Sequence, residues 1–313
     1  MVDGTLTNDA ATPPEPLPPS RGTAANIFLN EQGLRSGWRL LVYSAFVFGI
    51  YFVVSLMVSA FARLPRGSFS YVNQLLFECI GLTSALGAAC IMALIEKRSP
   101  GTYGLPLQRA FGKDFWFGWL FGFCEISGVV LSMTAFGSYS FGTLALHGME
   151  IARWAFLWLA LFLVVGFFEE FLFRGYTLYT LSDGVGFWPA AIFLSLLFGW
   201  VHRGNPGENW IGLLGVVVVG FFWCFTLKRT GSLWFAVGMH ASFDFGETFL
   251  YSVPDSGTVF PGHLSNAALH GPAWITGGSV GPEASVFDFL LLAVLFCLFH
   301  FLFPAKDKSA FAN

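Results

Sequence analysis

Three polar clusters interrupt long apolar stretches of this sequence. They are Glu169–Glu170 with Arg174, then His202, then His240 with Asp244. A charge at the centre of a membrane helix costs about 2.5–3.5 kcal/mol on insertion scales, so such groups are kept where they pair, face water or take part in chemistry. Carboxylates and imidazoles are the groups that activate water as general bases and donate to a developing oxyanion. The clusters therefore offer both a structural pair and a possible water-activating set.

The two adjacent glutamates have different predicted roles. Glu170 precedes Arg174 by four residues, and this order of acid and base favours an ion pair on one helix. A structural clamp is predicted for these two residues. Glu169 points roughly 100° away around the helix and has no nearby cation in the sequence. A buried carboxylate without a partner is poised to act as a general base or acid.

The histidines are ambiguous when each is considered alone. His202 follows Phe198 by one helical turn, and a lone histidine on an apolar helix is usually a packing residue. His240 and Asp244 share a helix face, so that Asp244 could orient the imidazole or point into a shared cavity. Ser195 lies seven residues before His202, which leaves a Ser/His dyad open. Taken together, an acid and two imidazoles on three helices predict a hydrolytic site.

Other catalytic signatures are missing from the sequence. It contains no HisGluxxHis zinc helix and no Walker-type GlyLysSer/Thr, which are typical of zinc proteases and P-loop NTPases. The five cysteines are scattered through apolar segments without paired spacing. Neither a disulfide framework nor a cysteine-based zinc site is predicted.

The composition is that of a polytopic membrane protein. Of the 313 residues, 55% are hydrophobic, 18% are aromatic and 11% are charged, whereas soluble domains carry about 25% charged residues. The predicted surroundings are therefore a lipid bilayer. No basic stripe is present, so nucleic acid is not a predicted partner.

Windows of about 20 apolar residues are long enough to cross a bilayer. The sequence contains eight, at about 38–62, 71–95, 113–137, 151–179, 186–203, 208–227, 232–252 and 285–303. They predict an all-α bundle of eight transmembrane helices with a water-accessible cavity among the fourth to the seventh. The distribution of Lys and Arg among the connecting loops predicts that both termini are cytoplasmic in a multi-pass protein of the cell membrane.

The chain divides into four predicted parts. Residues 1–24 form a disordered tail, 25–110 the N-terminal helices and a cytoplasmic loop, 111–255 the catalytic core, and 256–313 an outer loop and a C-terminal helix. Residues 253–284 are rich in Gly and Pro and lack basic residues. This segment is either a cap over the cavity or a loose outer loop.

Three ordered motifs carry a resemblance to a known family. GluGluPheLeuPheArgGly (169–175), PheGlyTrpValHis (198–202) and HisAlaSerPheAsp (240–244) resemble the CPBP family of CAAX-processing and bacteriocin-processing intramembrane proteases, also called the Abi or type II CAAX prenyl endopeptidase family. The resemblance implies peptide-bond hydrolysis within the bilayer. It makes Glu169 the base that activates water with help from His202, and His240 and Asp244 the stabilisers of the oxyanion.

The resemblance also implies supporting residues and raises a question about the acid at 244. Glu170 and Arg174, with Phe198, would hold the helices of the site. Asp244 departs from the Asn of the eukaryotic prenyl-protein branch. Because an ionised Asp cannot donate to an oxyanion, Asp244 is either protonated or instead orients His240.

The resemblance leaves the metal question open between two alternatives. Glu169, His202 and His240 would occupy three positions of a zinc site with water as the fourth, whereas related prenyl endopeptidases are thought to work without metal. A metal-free site with no required cofactor is the expectation, and zinc is the alternative.

The predicted function is an intramembrane endopeptidase acting on a peptide or membrane-protein substrate. Two other classes stay open. One is a non-catalytic membrane scaffold or bacteriocin-immunity protein of the same fold. The other is a proton-coupled transporter with a Glu/His relay, which buried titratable groups would also serve. Neither the substrate nor the oligomeric state follows from the sequence.

Overall fold

A computed structural model describes residues 27–30, 33–61 and 70–305 of the chain. The predicted tail of residues 1–24 lies outside the described residues. Nine helices of ten or more residues occur in the described ranges. They are α1 Ser36–Phe61, α2 Tyr71–Glu96, α3 Lys113–Ala135, α4 Met149–Arg174, α5 Tyr176–Val185, α6 Phe187–His202, α7 Trp210–Thr230, α8 Trp234–Phe245 and α9 Val286–Leu302. The predicted all-α class is confirmed.

Five helical stretches of the described chain are long and apolar enough to cross a membrane. They are Ser36–Phe61, Tyr71–Glu96, Lys113–Ala135, Met149–Val185 (which combines α4 and α5) and Trp210–Thr230. Helices α6 and α9 are apolar but shorter. The chain is therefore a multi-pass membrane protein. The number of eight crossings stays a prediction.

Two of the expected spans differ from the helices that the structure shows. The span expected at 151–179 is interrupted at Gly175, where α4 ends and α5 begins. The backbone is not helical there, with φ −79° and ψ −119°, and a Cβ atom at this position would lie 2.4 Å from the Phe171 carbonyl oxygen. The span expected at 232–252 is α-helical only to Phe245 and continues as a π-helical turn, Gly246–Leu250.

Helix α8 lies at the centre of the bundle and packs against α3, α4 and α7. The backbones of α8 and α3 approach each other closely, because a glycine of each helix faces the backbone of the other. A Cβ atom would lie 1.9 Å from the Phe235 carbonyl oxygen if added at Gly118, and 2.2 Å from the Phe115 carbonyl oxygen if added at Gly238. Small residues at such contacts let membrane helices pack backbone to backbone. This contact fixes the position of the helix that carries His240.

Two short strands occur at the beginning of the described chain, where β1 Leu29–Asn30 pairs with β2 Gly33–Leu34.

The segment 251–285 folds over one end of the bundle, and we refer to it as the cap. In the cap, β4 Ala268–Leu269 pairs antiparallel with β3 Tyr139–Ser140, which follows α3. The cap also contains one helical turn, Ala273–Thr276.

The cap is attached to the loop between α6 and α7. The Ser279 hydroxyl donates to the Gly207 carbonyl over 2.7 Å, and Gly257 meets Gly207 backbone to backbone. Of the two alternatives for residues 253–284, the structure agrees with the cap, because several of its side chains line the cavity below.

Candidate active site

The two adjacent glutamates of α4 face different surroundings. Arg174 Nη1 donates to Glu170 Oε1 over 2.9 Å, and both side chains are fully buried. The Arg174 guanidinium carbon lies 4.1 Å from the centroid of the Phe198 ring, which is typical of a cation–π contact. The Glu169 side chain, by contrast, is 23% exposed and lines a cavity. Glu170 is thus enclosed by protein, whereas Glu169 is accessible from the cavity.

His240 is held between carboxylates on both of its ring nitrogens. Its Nδ1 lies 3.1 Å from Glu170 Oε1, and its ring stacks on Trp223 with centroids 4.5 Å apart. Nδ1 donates to Glu170, because an ionised carboxylate only accepts hydrogen bonds. Nε2 lies 3.4 Å from Asp244 Oδ2 and 3.8 Å from Glu169 Oε2. The ring is therefore oriented at Nδ1 by Glu170, a contact that the sequence analysis missed.

His202 is the last residue of α6, and its tautomer follows from its neighbour. Its Nδ1 lies 2.8 Å from the Phe198 carbonyl oxygen, which only accepts, so Nδ1 carries a hydrogen. In the neutral ring the lone pair then belongs to Nε2. This Nε2 lies 4.0 Å from Glu169 Oε2.

The acid and the two imidazoles predicted from the sequence converge on one point. Glu169 Oε2 is the shared neighbour of both Nε2 atoms, although the three residues come from α4, α6 and α8. They line a cavity of about 500 Å³. Separations of 3.8–4.0 Å are too long for direct hydrogen bonds but within the reach of one bridging water.

The cavity extends further than the sequence analysis predicted. Five more carboxylates line it: Glu78 of α2, Glu125 of α3, Asp255 and Glu283 of the cap, and Asp288 of α9. The cavity predicted among the fourth to seventh spans is present, and its lining extends beyond them to α2, α3, α9 and the cap. Glu78 and Glu125 could have been found from the sequence, because each is an acid within an apolar span, the second and the third. No comparable signal marks Asp255 and Glu283, because acids in a loop are ordinary.

Burial raises the pKa of three carboxyl groups that lie outside the membrane-spanning segments. Burial raises the pKa of Asp255 to about 6, against the effect of the hydrogen bond that it accepts from Thr248. Burial likewise raises the pKa of Glu283 well above its usual range, and neighbouring Asp255 adds to the shift. The pKa of Glu208, in the loop between α6 and α7, is also raised by burial. Asp255 and Glu283 both line the cavity, and both therefore bind a proton more readily than ordinary carboxyl groups.

Ser195 does not form a dyad with His202. Its hydroxyl donates to the Ala191 carbonyl one turn earlier over 2.8 Å, and the side chain is buried. Histidines elsewhere have local partners: His300 Nδ1 lies 2.9 Å from Arg229 Nη2, and His263 Nδ1 lies 2.7 Å from the Phe260 carbonyl oxygen. Neither of these two histidines lines the cavity.

Comparison with known families agrees with the motifs. Residues 151–246 match the family model described as Type II CAAX prenyl endopeptidase Rce1-like. The matched stretch contains all three motifs, from Glu169 to Asp244. The resemblance inferred from the sequence is thus confirmed, and it supports a CAAX protease-like function in broad terms. No curated protein matches the chain.

Proposed function

We propose that this protein is an intramembrane endopeptidase that hydrolyses peptide bonds with a water molecule activated by Glu169 and His202. The observation that carries the proposal is the position of Glu169 Oε2, 4.0 Å from His202 Nε2 and 3.8 Å from His240 Nε2 at the wall of a cavity. This separation suits a group that takes a proton from a shared water.

The pairing of Glu169 with His202 supports a nucleophilic water between them. An ionised Glu169 and the Nε2 of a neutral His202 are both acceptors, and they face each other across 4.0 Å. Two acceptors at this separation are satisfied by a donor placed between them. The two hydrogens of one water can serve both, which leaves an oxygen lone pair directed at a substrate carbonyl. Glu169 then takes the proton as the carbon–oxygen bond forms, and it returns the proton to the leaving amine.

His240 and Asp244 are proposed to stabilise the oxyanion as a pair. Glu170 holds the ring at Nδ1, so that Nε2 faces the cavity beside Asp244 Oδ2. One proton shared by this pair satisfies both groups in the resting site and can form a hydrogen bond to the oxyanion, while it stays on the pair. Donors that are oriented in advance stabilise such charge without reorganisation. Trp223 keeps the ring plane fixed by stacking on it.

The same distances favour a reaction without metal. A tetrahedral zinc with bonds of about 2.1 Å holds its ligand atoms roughly 3.4 Å apart. Glu169 Oε2 lies 3.8 and 4.0 Å from the two Nε2 atoms, so Glu169, His202 and His240 would have to move closer together to bind zinc. We therefore propose a glutamate-type enzyme that requires no cofactor.

The test is cleavage by the purified protein in proteoliposomes. The probes are a fluorogenic farnesylated CAAX peptide and the same peptide without the lipid. We expect Glu169→Gln and His202→Ala to lower kcat/KM by at least about 100-fold, the usual contribution of a general base. Glu150→Gln is the matched control, because Glu150 is an exposed glutamate at the other end of α4.

Three outcomes would count against the proposal or its metal-free form. Cleavage by Glu169→Gln and His202→Ala at the wild-type rate would show that these groups are not catalytic. A folded wild type that cleaves neither peptide, while it binds one of them, would favour the scaffold or immunity alternative. Cleavage that is abolished by a zinc chelator and restored by zinc would replace the metal-free mechanism with a zinc-dependent one.

A further inference from the structure

We propose that Glu247, Asp255 and Glu283 form a binding site for a hard divalent cation, calcium or magnesium, that joins α8 to the cap. Each of the three offers a carboxylate oxygen, and these oxygens all lie within 4.8 Å of one another. Glu247 belongs to the π-helical turn after α8, whereas Asp255 and Glu283 belong to the cap. The proposal goes beyond the peptidase function and uses none of its catalytic groups.

Glu247 is the residue that most clearly requires a ligand. Its side chain is completely buried, and neither of its carboxylate oxygens has a hydrogen-bond partner. Within the described residues, no Lys, Arg or His forms an ion pair with Glu247, Asp255 or Glu283. A buried carboxylate is ordinarily paired, hydrogen-bonded or bound to a metal. The oxygens that would share a cation with Glu247 are those of Asp255 and Glu283.

The other two carboxylates are already oriented by neighbours. Asp255 Oδ2 accepts from the Thr248 hydroxyl over 2.8 Å. Glu283 Oε2 accepts from the Ser256 backbone N–H over 2.7 Å, and its Oε1 accepts from the Ser256 hydroxyl over 3.1 Å. Such outer contacts fix the ligands of metal sites and are a regular part of them.

The chemistry of the donors selects the class of ion. The three residues supply carboxylate oxygens and no nitrogen or sulfur, which suits the hard cations calcium and magnesium and disfavours zinc. Three carboxylates also carry more negative charge than one divalent ion neutralises, so the site binds the ion electrostatically without a further anion. The ion would complete its coordination with water, because the cavity beside Asp255 and Glu283 is open to it.

A cation here would hold the cap against the helix that carries the proposed oxyanion pair. Glu247 lies three residues after Asp244, and the cap supplies Asp255, Ser256 and Glu283 to the cavity wall. Binding would therefore order the cap and the end of α8 together.

The experiment is titration calorimetry on the full chain purified in detergent and treated with a chelator. Calcium chloride and magnesium chloride are titrated separately. We expect saturable binding of one ion per protein for at least one of them. Glu247→Gln and Glu283→Gln should weaken it by at least about tenfold, because affinity in such sites follows the ligand charge. Glu125→Gln is the matched control, since Glu125 is a buried acid of the same cavity outside the cluster.

A second measurement keeps the test independent of peptidase activity and of folding defects in one variant. Hydrogen exchange in residues 251–285 should slow when the ion is added to the wild type and should not change in Glu283→Gln. Binding should survive in Glu169→Gln and in His240→Ala, which separates this site from the proposed catalytic one. The proposal is overturned if the wild type binds neither ion at millimolar concentrations, or if both cluster variants bind as the wild type does.

Discussion

At the scale of single residues, Glu169 and Glu170 show how one helix assigns two identical side chains to different tasks. Consecutive residues of a helix point roughly 100° apart. Glu170 is thereby enclosed between Arg174 and His240, while Glu169 is exposed to the cavity. Removing one partner of a buried ion pair leaves the other charge unpaired, whereas a carboxylate that faces a cavity is replaceable without such a cost.

We therefore expect Glu170→Gln to destabilise the protein by about 3–5 kcal/mol, the usual cost of breaking a buried pair from one side. Glu169→Gln should change the free energy of unfolding by less than about 1 kcal/mol, because the half-buried side chain faces the cavity and its replacement leaves no buried charge unpaired. Equilibrium unfolding in mixed micelles measures both. The double variant Glu170→Gln with Arg174→Met tests the cause, because it also removes the unpaired guanidinium and should recover part of the loss. Equal stability of the two single variants would contradict this account.

The sequence motifs selected residues that the structure brings together, but they did not reveal all of the contacts among them. The spacing of Glu170 and Arg174 lies within one turn, so an ion pair could be inferred from helix geometry alone. The hydrogen bond between Glu170 and His240 joins residues 70 positions apart. It depends on how closely α4 and α8 pack, which no local pattern encodes. For the same reason the only residue that the sequence offered as a possible partner to orient His240 was Asp244, the nearer residue along the chain.

At the scale of helices, the contact between α3 and α8 positions half of the site. Gly118 and Gly122 lie four residues apart, and a Cβ atom on either would meet a carbonyl oxygen of α8 at 1.9 or 2.1 Å. Gly238 faces α3 in the same way. Because the opposing atoms belong to backbone, they cannot rotate away as a side chain would. A methyl group at these positions must push the two helices apart.

Gly238→Ala is therefore expected to destabilise the protein by about 1–3 kcal/mol, the range for overpacked cores. It should also lower peptidase activity, since His240 and Asp244 would shift with α8. The control is Gly49→Ala in α1, where a Cβ atom would meet nothing within 4 Å. Thermal unfolding in detergent compares the two. If Gly238→Ala is as stable as Gly49→Ala, the close approach of α3 and α8 is not required.

Helix positions followed from the sequence, but helix breaks did not. Apolar windows located α1 to α3 to within a few residues, because burial in lipid requires a continuous apolar run. The apolar window at 151–179 continues across Gly175, so it could not indicate that α4 ends there. The helix ends where Gly175 adopts a non-helical backbone, at a position where a Cβ atom would collide with the Phe171 carbonyl oxygen. Likewise, the apolar window at 232–252 continues past Phe245, so it could not indicate that a π-helical turn begins there.

At the scale of the whole molecule, the cavity is assembled from seven helices between α2 and α9 and from the cap. Its acids extend from Glu78 of α2 to Asp288 of α9 and include two from the cap. Of the seven acids that line the cavity in the described part of the chain, only Glu169 and Asp244 lie in recognisable motifs. The remainder could not be placed, because nothing in the sequence states which distant segments meet. The cap was predicted only as one of two alternatives, since its composition fits a covering segment and a loose loop equally.

The orientation of the molecule in the membrane depends on charge rather than on packing, because the helices pack identically whichever end faces the cytoplasm. The loop between α2 and α3 carries Lys97, Arg98 and Arg109, whereas residues 136–148 after α3 contain no Lys or Arg. Basic loops are retained on the cytoplasmic side. Since α3 is long enough to cross the membrane once, its two ends should differ in access from outside.

We therefore expect Gln108→Cys to be protected from an impermeant maleimide in sealed cells and His147→Cys to be labelled. Both positions are exposed, and they lie beyond opposite ends of α3. The five native cysteines are first replaced, and labelling after permeabilisation serves as the control that both introduced thiols can react. Labelling of Gln108→Cys alone in sealed cells would reverse the orientation. The cap shares the side of His147, because β4 pairs with β3 directly after α3. The same experiment therefore decides whether the proposed cation site faces the calcium and magnesium of the exterior or of the cytoplasm.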